Sequence, residues 1–255
     1  MEGCSLEKTI QEKLREIEEK EGVKIILAVE SGSRAWGFES QDSDYDIRFL
    51  YIREKSSYLK LEDVRDVIEW QLDEVFDING WDIQKALRLL YKSNPTIFEW
   101  FSSPIVYKKT SEAEKMNVIL ENYFSTKKSL FHYWHTANSN YRDYLKTDHV
   151  RAKKYLYVLR PILASKWILQ FNEIPPIEFD KLANELLDEN LKPVVADLLR
   201  RKKETNELDS MKRLDVLNNY IEKELVQLEV QAKRISQMKN NQWKTLNDFF
   251  LSVVE

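Results

Sequence analysis

Cysteine occurs once in the 255 residues, at Cys4, so no intramolecular disulfide can form and a reducing cytoplasm is the expected compartment. Glycine and proline are nearly as scarce, five and six residues, while aromatics are plentiful, which argues for an ordered, helix-rich chain. No run of about 18 apolar residues is present, and the acidic N-terminus does not read as a signal peptide, so no membrane association is expected. Neither sign of charge dominates: 39 Lys and Arg stand against 43 Asp and Glu, and overall charge selects no class of partner. Of the three histidines, His132 and His135 lie one helical turn apart. Without cysteine partners they fall short of the three or four ligands a zinc site needs.

What is present is one densely patterned stretch, Gly32 to Tyr51, reading GSRAWGFESQDSDYDIRFLY. Val23 to Val29, before it, is an apolar run of strand length and β-branched content. Glu39 to Ser43 is turn-prone, and from Asp44 to Tyr51 polar and apolar residues alternate before a hydrophobic end. Residues two apart on a strand share a face, which sets the Cα atoms of Asp44 and Asp46 about 6.5–7 Å apart. Carboxylates so placed repel one another unless a cation lies between them, and the pattern points to divalent metal.

Around this stretch the chain reads as follows. Leu6, Ile10, Leu14 and Ile17 form one face of a helix over Ser5 to Glu21, stopped by Gly22. Asp66 to Gln71 and Asp73 to Ile78 read as two further strands, and Asp82 precedes a helical pattern in which its plain role is an N-cap. From Ser111 onward helices are expected over 112–124, 128–145, 150–171 with an interruption at Pro161, 179–190, 192–203, about 206–239, and 245–254. Between Glu121 and Phe171 nine Lys and Arg face three acids, among Tyr133, Tyr141, Tyr144, Tyr155 and Tyr157. That mixture suits phosphate and base contacts, and equally a helical face with solvated lysines and core tyrosines. The run Arg200 to Lys203 reads as a solvated helix end.

Gly32-Ser33, a short helical spacer and Asp44-x-Asp46, set between two strand-like runs, resemble the signature of the DNA polymerase beta-type nucleotidyltransferase superfamily. The longer string, together with Trp81 to Leu87, Lys92 to Trp100, Lys153 to Pro161 and Lys166-Trp167, is similar to its RlaP-like branch, associated with RNA-ligase pathways. The resemblance implies an α+β fold. A catalytic palm with a small mixed sheet would span residues 1–108, and an α-helical region 109–255, with a sub-boundary near 172–177.

It also implies transfer of a nucleoside monophosphate from a nucleoside triphosphate, ATP being the expected donor, to an acceptor hydroxyl, with an RNA end the expected acceptor. Two Mg²⁺ or Mn²⁺ ions would clamp the attacking and leaving oxygens. Asp44 and Asp46 would bridge both ions, and a third carboxylate, Asp77 ahead of Asp82, would bind the ion that activates the acceptor. Gly32 would let the backbone approach the triphosphate, and Ser33 with the helix-start amides would bond its oxygens. Arg34, Arg48, Lys85 and Arg160 are the candidate further phosphate contacts, with ion pairing to a nearby acid the alternative for the first two. Lys153 and Lys154 are the candidate acceptor contacts. The alternatives are the same chemistry on a small molecule or a protein hydroxyl, or a silent nucleotide- or RNA-binding module.

Overall fold

The structure, a computed structural model, describes residues 2–40, 42–73, 75–204, 210–236 and 242–254. The chain begins α1 (Glu2–Glu21), β1 (Val23–Glu30), α2 (Gly32–Trp36), β2 (Tyr45–Arg53), α3 (Lys55–Tyr58), β3 (Val67–Leu72) and β4 (Phe76–Asp82). It continues through α4 (Ile83–Tyr91), α5 (Pro95–Phe101), β5 (Val106–Lys109), α6 (Ser111–Leu120), α7 (Thr126–Tyr144), β6 (His149–Arg151) and α8 (Ala152–Phe171). The remainder is α9 (Phe179–Leu186), α10 (Lys192–Glu204), β7 (Ser210–Lys212), α11 (Asp215–Arg234) and α12 (Trp243–Val254).

The fold is α+β, as the resemblance implied. Five strands form one sheet in the order β3-β4-β2-β1-β5, with β2 parallel to β4 and the other neighbours antiparallel. The apolar stripe of α1 (Ile10, Leu14, Ile17) covers one face against Ile25, Ala28, Ile47 and Phe49. The other face packs Ile26, Val29 and Leu50 against α4, α5, α6 and Leu246 and Phe249 of α12. The last helix therefore returns to the sheet. The remaining helices share a second core centred on α7 and α8. No helix among the described residues is long and apolar enough to cross a membrane.

Two expectations are corrected. The helix expected over about 206–239 is a short strand, β7, followed by α11, with residues 205–209 and 237–239 outside the described segments. Met211 pairs with Val150 on β6, so a tertiary partner overrides the helical spacing. At Pro161, α8 runs on without interruption. Proline in a helix interior costs about 3 kcal/mol. Here every residue from Val158 to Ser165 is buried, and packing offsets that cost.

Asp82 is buried and caps α4: its Oδ1 accepts from the Gln84 amide at 2.7 Å and its Oδ2 from the Tyr58 hydroxyl at 2.9 Å. Asp82→Ala should lower the unfolding free energy by about 1–2 kcal/mol, and Asp82→Asn by less, since Asn also caps. Urea denaturation measures this, and an unchanged midpoint in Asp82→Ala would refute the capping role.

Candidate active site

Three strand ends meet at one corner of the sheet. β1 ends at Glu30, β2 begins beside Asp44, and β4 begins beside Asp77. In the parallel β2–β4 pair Asp46 stands opposite Asp77. Residues in register on neighbouring strands point to the same face, so these two carboxylates lie side by side. Arg48, two residues further on that face, reaches both: its Nη2 donates to Asp46 Oδ1 at 2.8 Å and to Asp77 Oδ2 at 2.7 Å. Its Nη1 donates to the Asp77 carbonyl at 2.7 Å.

The Gly-Ser turn closes over the same corner. Gly32 has φ +59°, and a Cβ there would lie 1.8 Å from Asp46 Oδ2, so only glycine fits. The Ser31 amide donates to the Asp46 carbonyl at 2.8 Å, and Ser33 is buried. Arg34 turns back toward the acids: Nε donates to the Asp44 carbonyl at 3.0 Å and Nη2 to the Ser43 carbonyl at 2.6 Å, with the guanidinium 3.7 Å from the Tyr45 ring centroid. Arg34 thus holds the backbone that carries Asp44.

Carboxylate oxygens are hard donors, so Asp44, Asp46 and Asp77 suit Mg²⁺ or Mn²⁺ in kind. Among the described residues no three acidic or histidine side chains converge on one point. The compensating positive charge between Asp46 and Asp77 is here the Arg48 guanidinium. Burial, helped by the charges of Asp44 and Asp77 and opposed by Arg48, pushes the Asp46 carboxyl up to about 6.

Sequence reasoning missed Glu30, a buried acid ending an otherwise apolar strand. Its Oε1 accepts from the Asp46 amide at 2.9 Å and its Oε2 from the Tyr107 hydroxyl at 2.6 Å. Burial pushes this carboxyl up to about 7, against the pull of those two donors. The available signal was the acid's place directly before Ser31-Gly32-Ser33.

The other candidates divide. Asp82 lies five residues along β4 from Asp77, about 16 Å at strand rise, and Lys85 pairs with Asp66 at 3.1 Å near that far end. Arg160 is buried, donating to Glu99 Oε1 and the Ile177 carbonyl, both at 3.0 Å, with its guanidinium 4.5 Å from the Trp36 ring at the end of α2. The Lys154 ammonium lies 3.6 Å over Tyr144 and 5.6 Å from Tyr157, whose ring meets Trp36 edge-on. Lys153 is half-buried beside it. Lys202, expected to be solvated, is buried against Ser40 and Ser43. A cavity of about 910 Å³ lined by Ser125, Lys127, Asn172 and Arg234 includes none of the candidate acids.

Glu30 and Asp46 each hold a proton more tightly in the folded protein than in the unfolded chain, so metal-free stability should fall as pH rises. The windows run from 4.5 to about 7 for Glu30 and from 3.8 to about 6 for Asp46. Melting in EDTA buffers across this range should show the decline, and Glu30→Gln should flatten its upper part. An undiminished slope in that variant would acquit Glu30.

The RNA repair pathway DNA polymerase beta family (RlaP) matches the chain over residues 6–252. A Bacillus subtilis protein named uncharacterized protein YcgL is 45% identical over 252 residues, covering 98% of this chain and 97% of that one. A crystal structure of a nucleotidyltransferase-like protein from Exiguobacterium sibiricum aligns over 96% of this chain and 79% of that one, at 14% identity and a TM-score of 0.32. With its Gly-Ser turn and acid strand inside the matched span, this chain belongs to the RNA repair pathway DNA polymerase beta family, a nucleotidyltransferase family.

Proposed function

We propose that the protein is a metal-dependent nucleotidyltransferase that moves a nucleoside monophosphate from a nucleoside triphosphate, ATP the expected donor, to the hydroxyl of an RNA end. The observation that carries this reading is the pairing of Asp46 with Asp77 under the Gly32 turn. Asp44, Asp46 and Asp77 would hold the divalent ions. Those ions, when bound, polarise the α-phosphate and lower the pKa of the acceptor hydroxyl. The missing side chain at Gly32 makes room for the Asp46 carboxylate, and Arg34 fixes the backbone from which Asp44 projects. Arg48 pairs with Asp46 and Asp77 here, and its guanidinium would be available to a phosphate if divalent ions took over those carboxylates. Arg160 supports α2 from behind through Trp36.

Asp46→Asn and Asp77→Asn should each reduce transfer from labelled triphosphate to background at saturating Mg²⁺. Asp46→Asn should fold with a melting point in EDTA no lower than wild type, because the corner already disfavours the charged form. Asp82→Asn should keep turnover. Near-normal transfer by Asp46→Asn would sink the metal-site reading, and loss confined to Asp82→Asn would move the third acid there.

The acceptor assignment rests on the basic helical block, which the fold narrows. Tyr133, Tyr141, Tyr155 and Arg160 are buried, and Lys166 reaches toward Glu224 and Asp188. Arg142, Lys146 and Arg151 are exposed, with Lys153, Lys154, Tyr144 and Tyr157 beside them. β7 adds Lys212 opposite His149. RNA lying there would be released by salt, since each neutralised phosphate frees counterions. Lys153→Ala/Lys154→Ala should reduce the slope of log affinity against log salt by about one to two. Binding titrations at several salt concentrations measure it, and an unchanged slope would favour a small-molecule or protein acceptor.

A further inference from the structure

Lys202 belongs to α10, in the last third of the chain, yet its ammonium is placed in the loop that leads into the acid strand. It is 3% exposed, with Nζ 3.2 Å from Ser40 Oγ and 3.4 Å from Ser43 Oγ. Those serines are buried too, their hydroxyls 3.0 Å apart, and Ser43 Oγ accepts from the Ser40 amide. The ammonium also stands 5.7 Å from the Phe38 ring centroid. Neighbouring Arg200 and Arg201 behave as an ordinary helix end, exposed and paired with Asp197. Burying an ammonium is costly before its contacts are counted, so a lysine turned inward needs a reason that an apolar residue would not meet.

The reason lies in what the loop carries. Ser43 precedes Asp44 directly, and Arg34 grips the carbonyls of both from the palm side. Phe38, at the other end of the loop, is buried in the helical core. Residues 38–40 and 42–44 thus lie between one cation from the palm and one from a helix some 160 positions later in the chain.

We propose that Lys202 is a positioning residue: it fixes the Ser40–Ser43 turn and so sets how Asp44 and Asp46 present their carboxylates to metal. This rests on the reading of those acids as metal ligands. It makes metal affinity depend on the docking of α10 against the palm loop.

The test uses the full chain and Mn²⁺, with binding read from the electron paramagnetic resonance signal of the free ion. Lys202→Met should weaken Mn²⁺ binding about tenfold, the usual effect of removing a group that orients metal ligands. Lys202→Arg should recover part of the loss, and helix content by circular dichroism should stay at the wild-type level. Ser40→Ala/Ser43→Ala removes only the hydroxyl partners, should shift Mn²⁺ affinity the same way, and carries the test if Lys202→Met fails to fold. Wild-type affinity in that double variant, or in a folded Lys202→Met, overturns the proposal while leaving Asp46-dependent binding intact. Wild-type binding that ignores Asp46→Asn overturns the metal reading and this inference together.

Discussion

The Asp46 carboxylate occupies the space that any side chain at position 32 would need. That single contact ties together the end of β1, the Gly-Ser turn and the start of β2. It requires glycine at a positive φ, and it sets α2 directly above the acid strand. Because β4 lies parallel to β2, the same corner also receives Asp77. The parallel pairing is reached through β3, which crosses outward and returns antiparallel to β4.

Crowding acids into a half-buried corner is electrostatically costly, and the structure shows how the charge is managed. Burial raises both Asp46 and Glu30, and the positive groups nearby take separate tasks. Arg48 neutralises carboxylates directly, whereas Arg34 and Lys202 bind the backbone and hydroxyls of the loop that carries Asp44. Glu30 works from the opposite face, accepting the Asp46 amide while Tyr107 satisfies its second oxygen. Asp44 and Asp46 are thus held through their main chain, and Asp46 and Asp77 also through carboxylate oxygens that accept from Arg48.

The helical region is joined to this corner by packing as well as charge. Phe38 leaves α2 and inserts among Phe179 and Tyr157. Arg160 sits between Trp36 and Glu99, and Glu99 also accepts from Tyr133 of α7. Trp36 at the end of α2 and Phe38 just after it thus tie the turn above the acid strand to the helical core.

Two things were determined by the sequence itself: the α+β class, through the family resemblance of its Gly32-Ser33 and Asp44-x-Asp46 pattern, and the cap at Asp82, through the preference of short acids for helix starts. The continuity of α8 through Pro161 and the replacement of a predicted helix by β7 were not legible, because burial and strand pairing outweigh local propensity. The partners of the ionic groups were equally hidden. Whether Arg48 meets phosphate or carboxylate, whether Lys85 lies near the acids, and whether Lys202 is solvated depend on which distant residues the fold brings within a few ångströms. Only the tertiary structure decided those, since a side chain's charge is written in the sequence but its neighbours are set by packing.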